Sequence, residues 1–458
     1  MKPGLIPKNP SAAPAFTGRE LLRLIIPLMI STTLSLLVGM LDTVMVSSVS
    51  EEAVSGVSLV DNVMQLMIFV FTSFASGGAV VIGQHLGNRD QPQARECAEQ
   101  LIHFTFFVSV FLTALTLALR PVILNHVFGS ITPGVARQAS VYLTITAFSL
   151  PGIAVYEAAN VVLRTMRDSK TGMWISMAMN AINAAGNAVC IYGLGMDAAG
   201  AAIPTLISRW AAALLGVGLL LNPGRTLYLR KKFPVRLEGT AIRSILRMGV
   251  PGGLENGIFQ LGKILVMRLV AAFGTAAIAA NAIAVILTNF ISLPGWGINY
   301  AVTTVIAQCV GQGDFEQTRY YHRLMCRLAF VSLTAWGGIL CLALPVLLPL
   351  FHLSPEAYAL ASDMIYCHYA GTVLFWVPSF LTPTALRAAG DVDLAMVVAI
   401  LSMWVFRVGG AYLISLPLGA VGVWAAMVLD WVFRALLFRL RWRSGNWTQK
   451  RLTGGENN

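Results

Sequence analysis

Long apolar runs alternate with short polar segments along nearly the whole 458-residue chain. A helix that crosses the hydrocarbon core of a membrane needs about 20 apolar residues. Runs of that length predict an all-α membrane protein with twelve transmembrane helices. The predicted helices cover roughly residues 21–47, 54–84, 98–119, 138–163, 171–193, 199–221, 244–271, 277–308, 324–350, 358–386, 393–416 and 420–440.

Two patterns recur half a chain apart. Val81-Ile82-x-Gln84-x-x-Gly87-x-x-Asp90-x-x-Gln93-x-Arg95 returns 224 positions later as Val305-Ile306-x-Gln308-x-x-Gly311-x-x-Asp314-x-x-Gln317-x-Arg319. Leu163-Arg164 with Asp168 returns as Leu386-Arg387 with Asp391. Six helices in each half give both halves the same orientation, so we expect two six-helix bundles related by a parallel pseudo-two-fold repeat. Gly87 and Gly311 are expected to be C-terminal helix caps.

Most basic residues lie in every second loop between the predicted helices, which places them on the same side of the membrane. With both termini inside, 26 of the 32 lysines and arginines lie on the inner side, and outer loops hold only Arg120 and Arg137. The positive-inside rule then predicts a multi-pass protein of the plasma (inner) membrane with both termini cytoplasmic. The expected organisation is an N-terminal tail (1–20), an N-lobe (21–221), a cytoplasmic linker (222–240), a C-lobe (241–441) and a C-terminal tail (442–458).

Composition excludes several other classes of protein. Only 12% of the residues are charged, against roughly 25% in soluble domains, so a large soluble enzyme is not expected. The net charge of +11 lies in short loops without a basic, aromatic-rich patch, so we expect no nucleic-acid partner. The six cysteines form no CxxC pair and predict neither disulfides nor a zinc site.

Several short motifs together resemble the MATE (multidrug and toxic compound extrusion) family. They are Asp42 within Leu37–Val46, the Gln-x-x-Gly ends of helices 2 and 8, the two Leu-Arg-x-x-x-Asp segments, and Asn180-x-x-Asn183-x-x-x-Asn187. The resemblance implies a secondary active antiporter that exports organic, often cationic, compounds in exchange for H+ or Na+ by alternating access. It implies no cofactor beyond the coupling ion, and a monomer whose partners are small organic substrates and membrane lipid.

The resemblance is closer to the DinF-like branch of that family than to the NorM branch. The NorM branch has a glutamate eight residues after the proline of helix 7, where this chain has Phe259; Glu255 follows Pro251 by four residues. Asp42 is typical of the DinF-like branch. Archaeal members of that branch have an aspartate four residues after the helix-5 asparagine, where this chain has Ala184.

Polar side chains inside the predicted helices are the candidates for ion coupling. A buried charge in lipid costs about 2.5–3.5 kcal/mol, and two carboxylates at similar depth, Asp42 and Asp61, suit a cation site. Asn180, Asn183 and Asn187 are expected to add neutral oxygen or amide partners, and a Na+ ion would be bound at Asp42 and Asn180. The alternative is that these asparagines join helices by packing and hydrogen bonds.

A second set is expected to contact the substrate: Glu255, Gln260, Met64, Trp296, Tyr300, Lys263 and Arg407. Methionines and aromatic rings adapt to varied organic ligands. The cations of the C-lobe leave room for an anionic or zwitterionic substrate. Alternatively, Lys263 with Asp430 and Arg407 with Glu255 form structural ion pairs.

Two other functions remain as alternatives at this point. A lipid-linked precursor flippase of the same wider superfamily would use the cations Lys263, Arg268 and Arg407 for a pyrophosphate head group. A membrane-embedded enzyme is not expected, because the six histidines show no catalytic or metal-binding spacing. No GxxxxGK[ST] motif is present, so ATP hydrolysis by this chain is not expected either.

Overall fold

The computed structural model describes residues 15–128, 131–230 and 238–452, and within these ranges the regular secondary structure is helical. The α-helices are α1 (Gly18–Ser47), α2 (Glu51–Gly87), α3 (Gln91–Ala118), α4 (Arg120–Val122), α5 (Pro133–Ala147), α6 (Leu150–Thr165), α7 (Ser169–Ala188), α8 (Ala198–Leu220), α9 (Gly239–Ala271), α10 (Thr275–Gly311), α11 (Phe315–Leu347), α12 (Pro355–Gly371), α13 (Thr382–Ala388), α14 (Val392–Ser402) and α15 (Gly410–Ser444). The predicted all-α fold is confirmed. Parts of the predicted tails (1–14 and 453–458) and of the predicted linker (231–237) lie outside the described residues.

Among the described residues, eight helices are long and apolar enough to cross a membrane, or nine if the bent pair α5 and α6 forms one span. Helices α7 and α9 are not among the eight, because polar residues lower their hydropathy. These residues include the predicted site residues Asn180 and Asn183 on α7 and Glu255 and Lys263 on α9. The apolar stretch Val392–Ser444 is counted as one span although its backbone leaves the helix at Gly419, where φ is 56°.

Large apolar side chains are exposed on many of these helices. Leu342 is 84% exposed, Leu416 81% and Val346 71%. Such a surface is unfavourable in water over a large contiguous area, whereas lipid chains cover it without loss. The exposed apolar surface and the long helices therefore fit a protein that crosses a membrane several times.

The described residues fall into two compact units. The N-terminal unit comprises Ile26–Leu86 and Asp90–Gly253; the C-terminal unit comprises the residues from Leu254 onward, together with those up to Ile25 and Gly87–Arg89. The divisions fall inside α1 and α9, next to Pro27 and Pro251. A proline inside a helix removes a backbone hydrogen bond and permits a bend there.

The first repeated pattern is a helix-to-helix turn in both copies. The Asp90 carboxylate accepts a hydrogen bond from the Gln93 amide at the start of α3, at 3.3 Å, and Asp314 accepts one from Gln317 at the start of α11, at 2.9 Å. Both aspartates are thus N-caps. The expected capping role of Gly87 and Gly311 is wrong, because both are the last residues of their helices. The left-handed conformation falls two positions later instead, at Arg89 (φ 60°) and Gly313 (φ 74°).

In both copies of the second repeated pattern, the aspartate in the turn after α6 or α13 forms an ion pair with an arginine further along the same unit. Asp168 caps α7 and lies 2.7 Å from Arg225, and Asp391 lies 2.7 Å from Arg441. Burial opposes ionisation of Asp168, but hydrogen bonds from Thr171 and Arg225 outweigh it and hold the pKa of Asp168 below its ordinary value. These two aspartates therefore stabilise equivalent turns with the same chemistry.

Candidate functional site

A polar cavity of about 450 Å³ lies inside the N-terminal unit, enclosed by α1, α2, α5, α7 and α8. It brings together residues that are far apart in the sequence. Five residues predicted for ion coupling or substrate binding line it: Asp42, Asp61, Asn180, Asn183 and Met64. The remaining predicted substrate residues, on α9, α10 and the π-helical stretch Met403–Gly409, lie in the C-terminal unit.

The Asp42 carboxylate is held by two amides of α7. Asn187 donates to its Oδ1 at 2.8 Å. The Asn183 amide, oriented so that both of its ends are satisfied, donates to the two Asp42 oxygens at 3.1 and 2.9 Å and accepts from Thr205 at 3.0 Å. The hydrogen-bond network dictates this orientation of the amide. Asn180 also lines the cavity, and its amide donates to Ser35 on α1 at 3.4 Å.

The geometry of α7 follows from its sequence. Positions 180, 183 and 187 are spaced by three and four residues and therefore share one helix face. Gly186 allows this face to approach α8 closely, since a Cβ there would lie 2.6 Å from Pro204. The close approach brings Asn183 within hydrogen-bond distance of Thr205 on α8.

Asp61 has a different set of partners. The buried Tyr142 hydroxyl of α5 donates to its Oδ1 at 3.0 Å. Arg209 of α8 lines the same cavity, acts electrostatically on both Asp42 and Asp61, and donates to Ser149 at 2.8 Å. Two carboxylates therefore share one cation across the cavity, which leaves a net negative charge for a small cation to neutralise.

One oxygen of this cluster has no hydrogen bond among the described residues. Asn187 is 1% exposed, and its Oδ1 has no partner. A buried acceptor without a donor is unfavourable. Beside the Asp42 carboxylate it supplies a neutral oxygen, and carboxylate and carbonyl oxygens are the ligands that hard cations prefer. The described residues contain no group of three or more His, Cys, Asp and Glu that could hold a metal ion, so a cation here would rely on one carboxylate and amide oxygens.

The ion pairs of the C-terminal unit differ from the expected pairing. Glu255 bonds to Arg387 at 2.5 Å, where Arg407 was the expected partner. Arg407 lies 3.8 Å from Asp430, which the sequence paired with Lys263. Asp430 also accepts a hydrogen bond from Ser402 at 2.5 Å. Glu255 and Asp430 are therefore each paired with an arginine, but not with the predicted cation, because the packing of distant helices decides which side chains meet.

The other predicted substrate residues of this unit have mixed environments. Trp296 lies edge-on to Trp376 at 5.5 Å and to Phe380 at 5.7 Å, in an aromatic cluster. Tyr300 is 39% exposed. Gln260 and the ring of Phe259 are half-buried on α9, and Lys263 is exposed. These residues all belong to the C-terminal unit.

Sequence reasoning assigned Asn187 to the ion site together with the other two asparagines of α7, but it gave no role in ion coupling to Arg209 or Tyr142. Arg209 is a charge inside a predicted helix, which was a usable signal. The sequence gives no indication of the role of Tyr142, because a tyrosine in an apolar helix packs against its neighbours as often as it hydrogen-bonds to a site residue.

Comparison with known proteins agrees with this architecture. The sequence profile of the MatE family matches residues 27–189 and 251–413. The uncharacterized transporter YisQ of Bacillus subtilis is 28% identical over 98% of this chain and 99% of its own length. The probable multidrug resistance protein NorM of Thermotoga maritima is 26% identical over 94% of this chain and 93% of its own.

Solved structures share the fold at low sequence identity. An outward-facing multidrug resistance MATE family transporter of the MOP superfamily has a TM-score of 0.87 at 21% identity, over 94% of this chain and 96% of that one. A MOP superfamily transporter from Pyrococcus furiosus, described as having a binding pocket of reverse polarity, has a TM-score of 0.86 at 21% identity, over 93% and 95% of the two chains.

The two matched segments of the family profile begin 224 residues apart and together span most of the chain, so the internal repeat and the family pattern coincide. Members of this family are membrane transporters, which confirms the expectation that the chain is a multi-pass membrane protein and not an enzyme, and does not favour the flippase. The chain belongs to the MatE family of multidrug efflux transporters.

Proposed function

We propose that this chain is a secondary antiporter of the plasma (inner) membrane that exports organic, often cationic, compounds in exchange for H+ or Na+ by alternating access. The single observation that carries the proposal is the Asp42 cluster. A charged carboxylate inside a membrane helix is unfavourable unless a cation neutralises it, and the unpartnered oxygen of Asn187 beside Asp42 adds a second ligand for such a cation. Asp42 is the proposed ion-binding group, positioned by Asn183 and Asn187, with Asp61 as the second carboxylate.

The proposed topology has twelve transmembrane helices in two parallel six-helix bundles with both termini cytoplasmic. Two features support more than nine spans. Helices α7 and α9 are 20 and 33 residues long, long enough to cross a membrane, and their lower hydropathy comes from polar residues proposed for the function. The break at Gly419 divides the last apolar stretch into two helices. The excess of basic residues on alternate loops supports the orientation.

The two candidate coupling ions predict different chemistry at Asp42. A proton would bind one carboxylate oxygen and remove the negative charge, so that Asn187 and Asn183 would then face a neutral acid. Sodium would instead need several oxygens, and the unpartnered Asn187 Oδ1 is one such oxygen beside Asp42. Because the amide nitrogens point at Asp42, sodium would require the amides to turn, whereas a proton needs one carboxylate oxygen and no other ligand.

The test is transport of a fluorescent organic cation by purified protein in vesicles, with pH and Na+ gradients imposed separately. Wild-type protein should move the cation against its gradient when one ion gradient is imposed. Asp42→Asn should abolish this coupled movement while the protein still inserts and purifies normally. Asp363→Asn, which removes an exposed carboxylate of α12 outside the cavity, is the matched control and should transport normally. Full coupled transport by Asp42→Asn would overturn the assignment.

A further inference from the structure

Two cations of the C-terminal unit share one aromatic ring. The Lys263 ammonium lies 5.5 Å from the centre of the Phe259 ring, and the Arg407 guanidinium lies 5.1 Å from the same centre. Lys263 and Phe259 are one turn apart on α9, and Arg407 belongs to the π-helical stretch Met403–Gly409. Contact with the ring stabilises each cation, but the two cations repel each other.

A close helix crossing fixes this arrangement. A Cβ on Gly262 would overlap the buried Met403 side chain, so the glycine lets α9 lie directly against the start of the π-helical stretch. Lys263 is the next residue on α9, and Arg407 lies one turn beyond Met403. The two charges are therefore held near each other by packing, and their proximity does not depend on flexible side chains alone.

Positive charge exceeds negative charge at this crossing. Glu255 is occupied by Arg387, and Asp430 lies near Arg407 and accepts from Ser402. Among the described residues no carboxylate lies within 4.0 Å of Lys263. Arg434 is 4% exposed, contacts the rings of Phe380 and Phe438, and adds its charge to that of Arg407. Of the three cations Lys263, Arg407 and Arg434, only Arg407 forms an ion pair among the described residues, with Asp430.

An excess of this kind is unfavourable in a helix bundle within lipid. An anion beside Lys263 and Arg407 would remove it. Lys263 is exposed and Arg407 is half-buried, so an anion that reaches the first could also contact the second. The Arg407 Nε has no hydrogen-bond acceptor among the described residues, and a guanidinium binds a planar carboxylate through two parallel hydrogen bonds.

We propose that Lys263 and Arg407 bind the carboxylate of a transported organic compound, so that the substrates of this transporter include aromatic organic anions as well as cations. The proposal rests on the proposed transport function and specifies its substrate class. The Phe259 ring lies within 5.5 Å of both cations, so an aromatic surface adjoins the site and favours a ring on the ligand. The anionic head group of a lipid shares the charge of such a ligand, and the experiment separates the two.

The test is equilibrium binding to the purified full-length protein, without any ion gradient. The probe is a fluorescent aromatic carboxylate, compared with its uncharged methyl ester. Wild-type protein should bind the carboxylate at least tenfold more tightly than the ester. Lys263→Met should weaken carboxylate binding about tenfold, because it removes one charge-assisted contact, and should leave ester binding unchanged. Lys263→Arg should restore it.

Matched controls make the result specific. Arg268→Gln removes another exposed cation of α9, five residues beyond Lys263, and should leave carboxylate binding unchanged. The lipid arm repeats the measurement in vesicles with and without phosphatidylglycerol. Competition by phosphatidylglycerol that Lys263→Met abolishes, with no binding of the carboxylate in lipid-free detergent, would assign the site to a lipid head group and overturn the proposal.

Failure of this proposal is distinguishable from failure of the transport function. Equal binding of carboxylate and ester, or equal loss of binding in Lys263→Met and Arg268→Gln, would overturn the anion site even if cation export through Asp42 proceeds normally. Conversely, absence of ion-driven cation transport would overturn the antiport mechanism without affecting the binding result. Purification of Lys263→Met as a monodisperse protein is expected, because Lys263 makes no ion pair among the described residues.

Discussion

Asn187 on α7 donates a hydrogen bond of 2.8 Å to the carboxylate of Asp42 on α1. The donor and acceptor are 145 residues apart in the chain. Asn187 is almost fully buried and the oxygen of its amide has no partner, so the residue orients Asp42 and at the same time presents an unsatisfied acceptor beside it. This pair joins the helix that carries the proposed ion-binding carboxylate to the helix that carries its amides.

Replacing Asn187 by alanine should weaken ion coupling more than folding. The change removes the amide nitrogen, whose hydrogen bond to Asp42 stabilises the fold, and the unpartnered amide oxygen, whose burial destabilises it. The two effects on stability therefore partly cancel. A neutral hydrogen bond contributes only about 0.5–1.5 kcal/mol net. We expect thermal stability in detergent to change little. Transport in vesicles should need a steeper ion gradient than wild type to reach half of its maximal rate.

Asn180→Ala is the matched control for that experiment. Asn180 lies on the same helix face and lines the same cavity, but its hydrogen bond is to Ser35 at 3.4 Å, a weak contact. Asn180→Ala should alter the dependence of the transport rate on the ion gradient less than Asn187→Ala does. A larger effect of Asn180→Ala would show that the ion lies nearer Asn180 than the Asp42 hydrogen bonds indicate.

Much of the Asp42 cluster was predictable, because most of its members are polar residues within otherwise apolar helices. Asp42, Asp61 and the three asparagines are polar positions in apolar runs, and the spacing of the asparagines sets a common helix face. Tyr142 could not be predicted, since its polar atom is a minor part of an apolar side chain. The repeat also predicted which turns would be equivalent, but not that Arg89 and Gly313 would adopt the left-handed conformation.

The ion-pair partners in the C-terminal unit could not be predicted from the sequence. Glu255 is 132 residues from Arg387, and the repeated Leu-Arg-x-x-x-Asp pattern that contains Arg387 gave no indication of this partner. Arg407 lies in a π-helical stretch, where the extra residue per turn rotates the following side chains relative to an α-helix. The direction of the Arg407 side chain therefore cannot be extrapolated from the α-helical spacing of 3.6 residues per turn.

The Glu255–Arg387 pair yields a prediction about stability. Glu255→Gln leaves Arg387 as a partly buried charge without its partner, and breaking such a pair costs about 3–5 kcal/mol when both groups are buried. Glu255 and Arg387 are 13% and 26% exposed, so the lower end of that range is expected. The measurement is thermal unfolding of the purified protein in detergent.

The double variant Glu255→Gln with Arg387→Gln should recover most of the lost stability, because two neutral side chains replace the ion pair. A substrate-binding role for Glu255 predicts the reverse pattern. In that case Glu255→Gln would unfold at the wild-type temperature, lose binding of an organic cation, and gain nothing from the second substitution.

Acidification should remove the contribution of Asp168. Its pKa is held below the ordinary carboxyl value by hydrogen bonds from Thr171 and Arg225, against the opposing effect of burial. A lowered pKa means that the stabilisation is complete above the unfolded value of about 3.9 and is lost as the pH falls through the folded value. At pH 7, Asp168→Asn should destabilise by about 0.5–1 kcal/mol, because the pair is partly exposed and screened.

The difference between wild type and Asp168→Asn should shrink as the pH is lowered below about 4, as measured by unfolding temperature in detergent. Arg225→Gln should reproduce part of the loss at pH 7, since it removes one of the two partners. A constant difference between the two proteins from pH 7 to pH 3 would contradict an ionised Asp168 as the cause.

Gly295 should not tolerate a side chain. A Cβ at this position would lie 2.5, 2.7 and 2.9 Å from three atoms of the Trp376 ring, which is 1% exposed and has no room to retreat. Gly295→Ala should therefore destabilise by about 1–3 kcal/mol, as overpacking of a filled core does, and should perturb the edge-on contact between Trp296 and Trp376. Gly257→Ala on α9, where a Cβ meets nothing within 4 Å, is the control and should be neutral or stabilising by up to about 1 kcal/mol. Equal unfolding temperatures for the two variants would mean that the Trp376 ring moves aside at little cost.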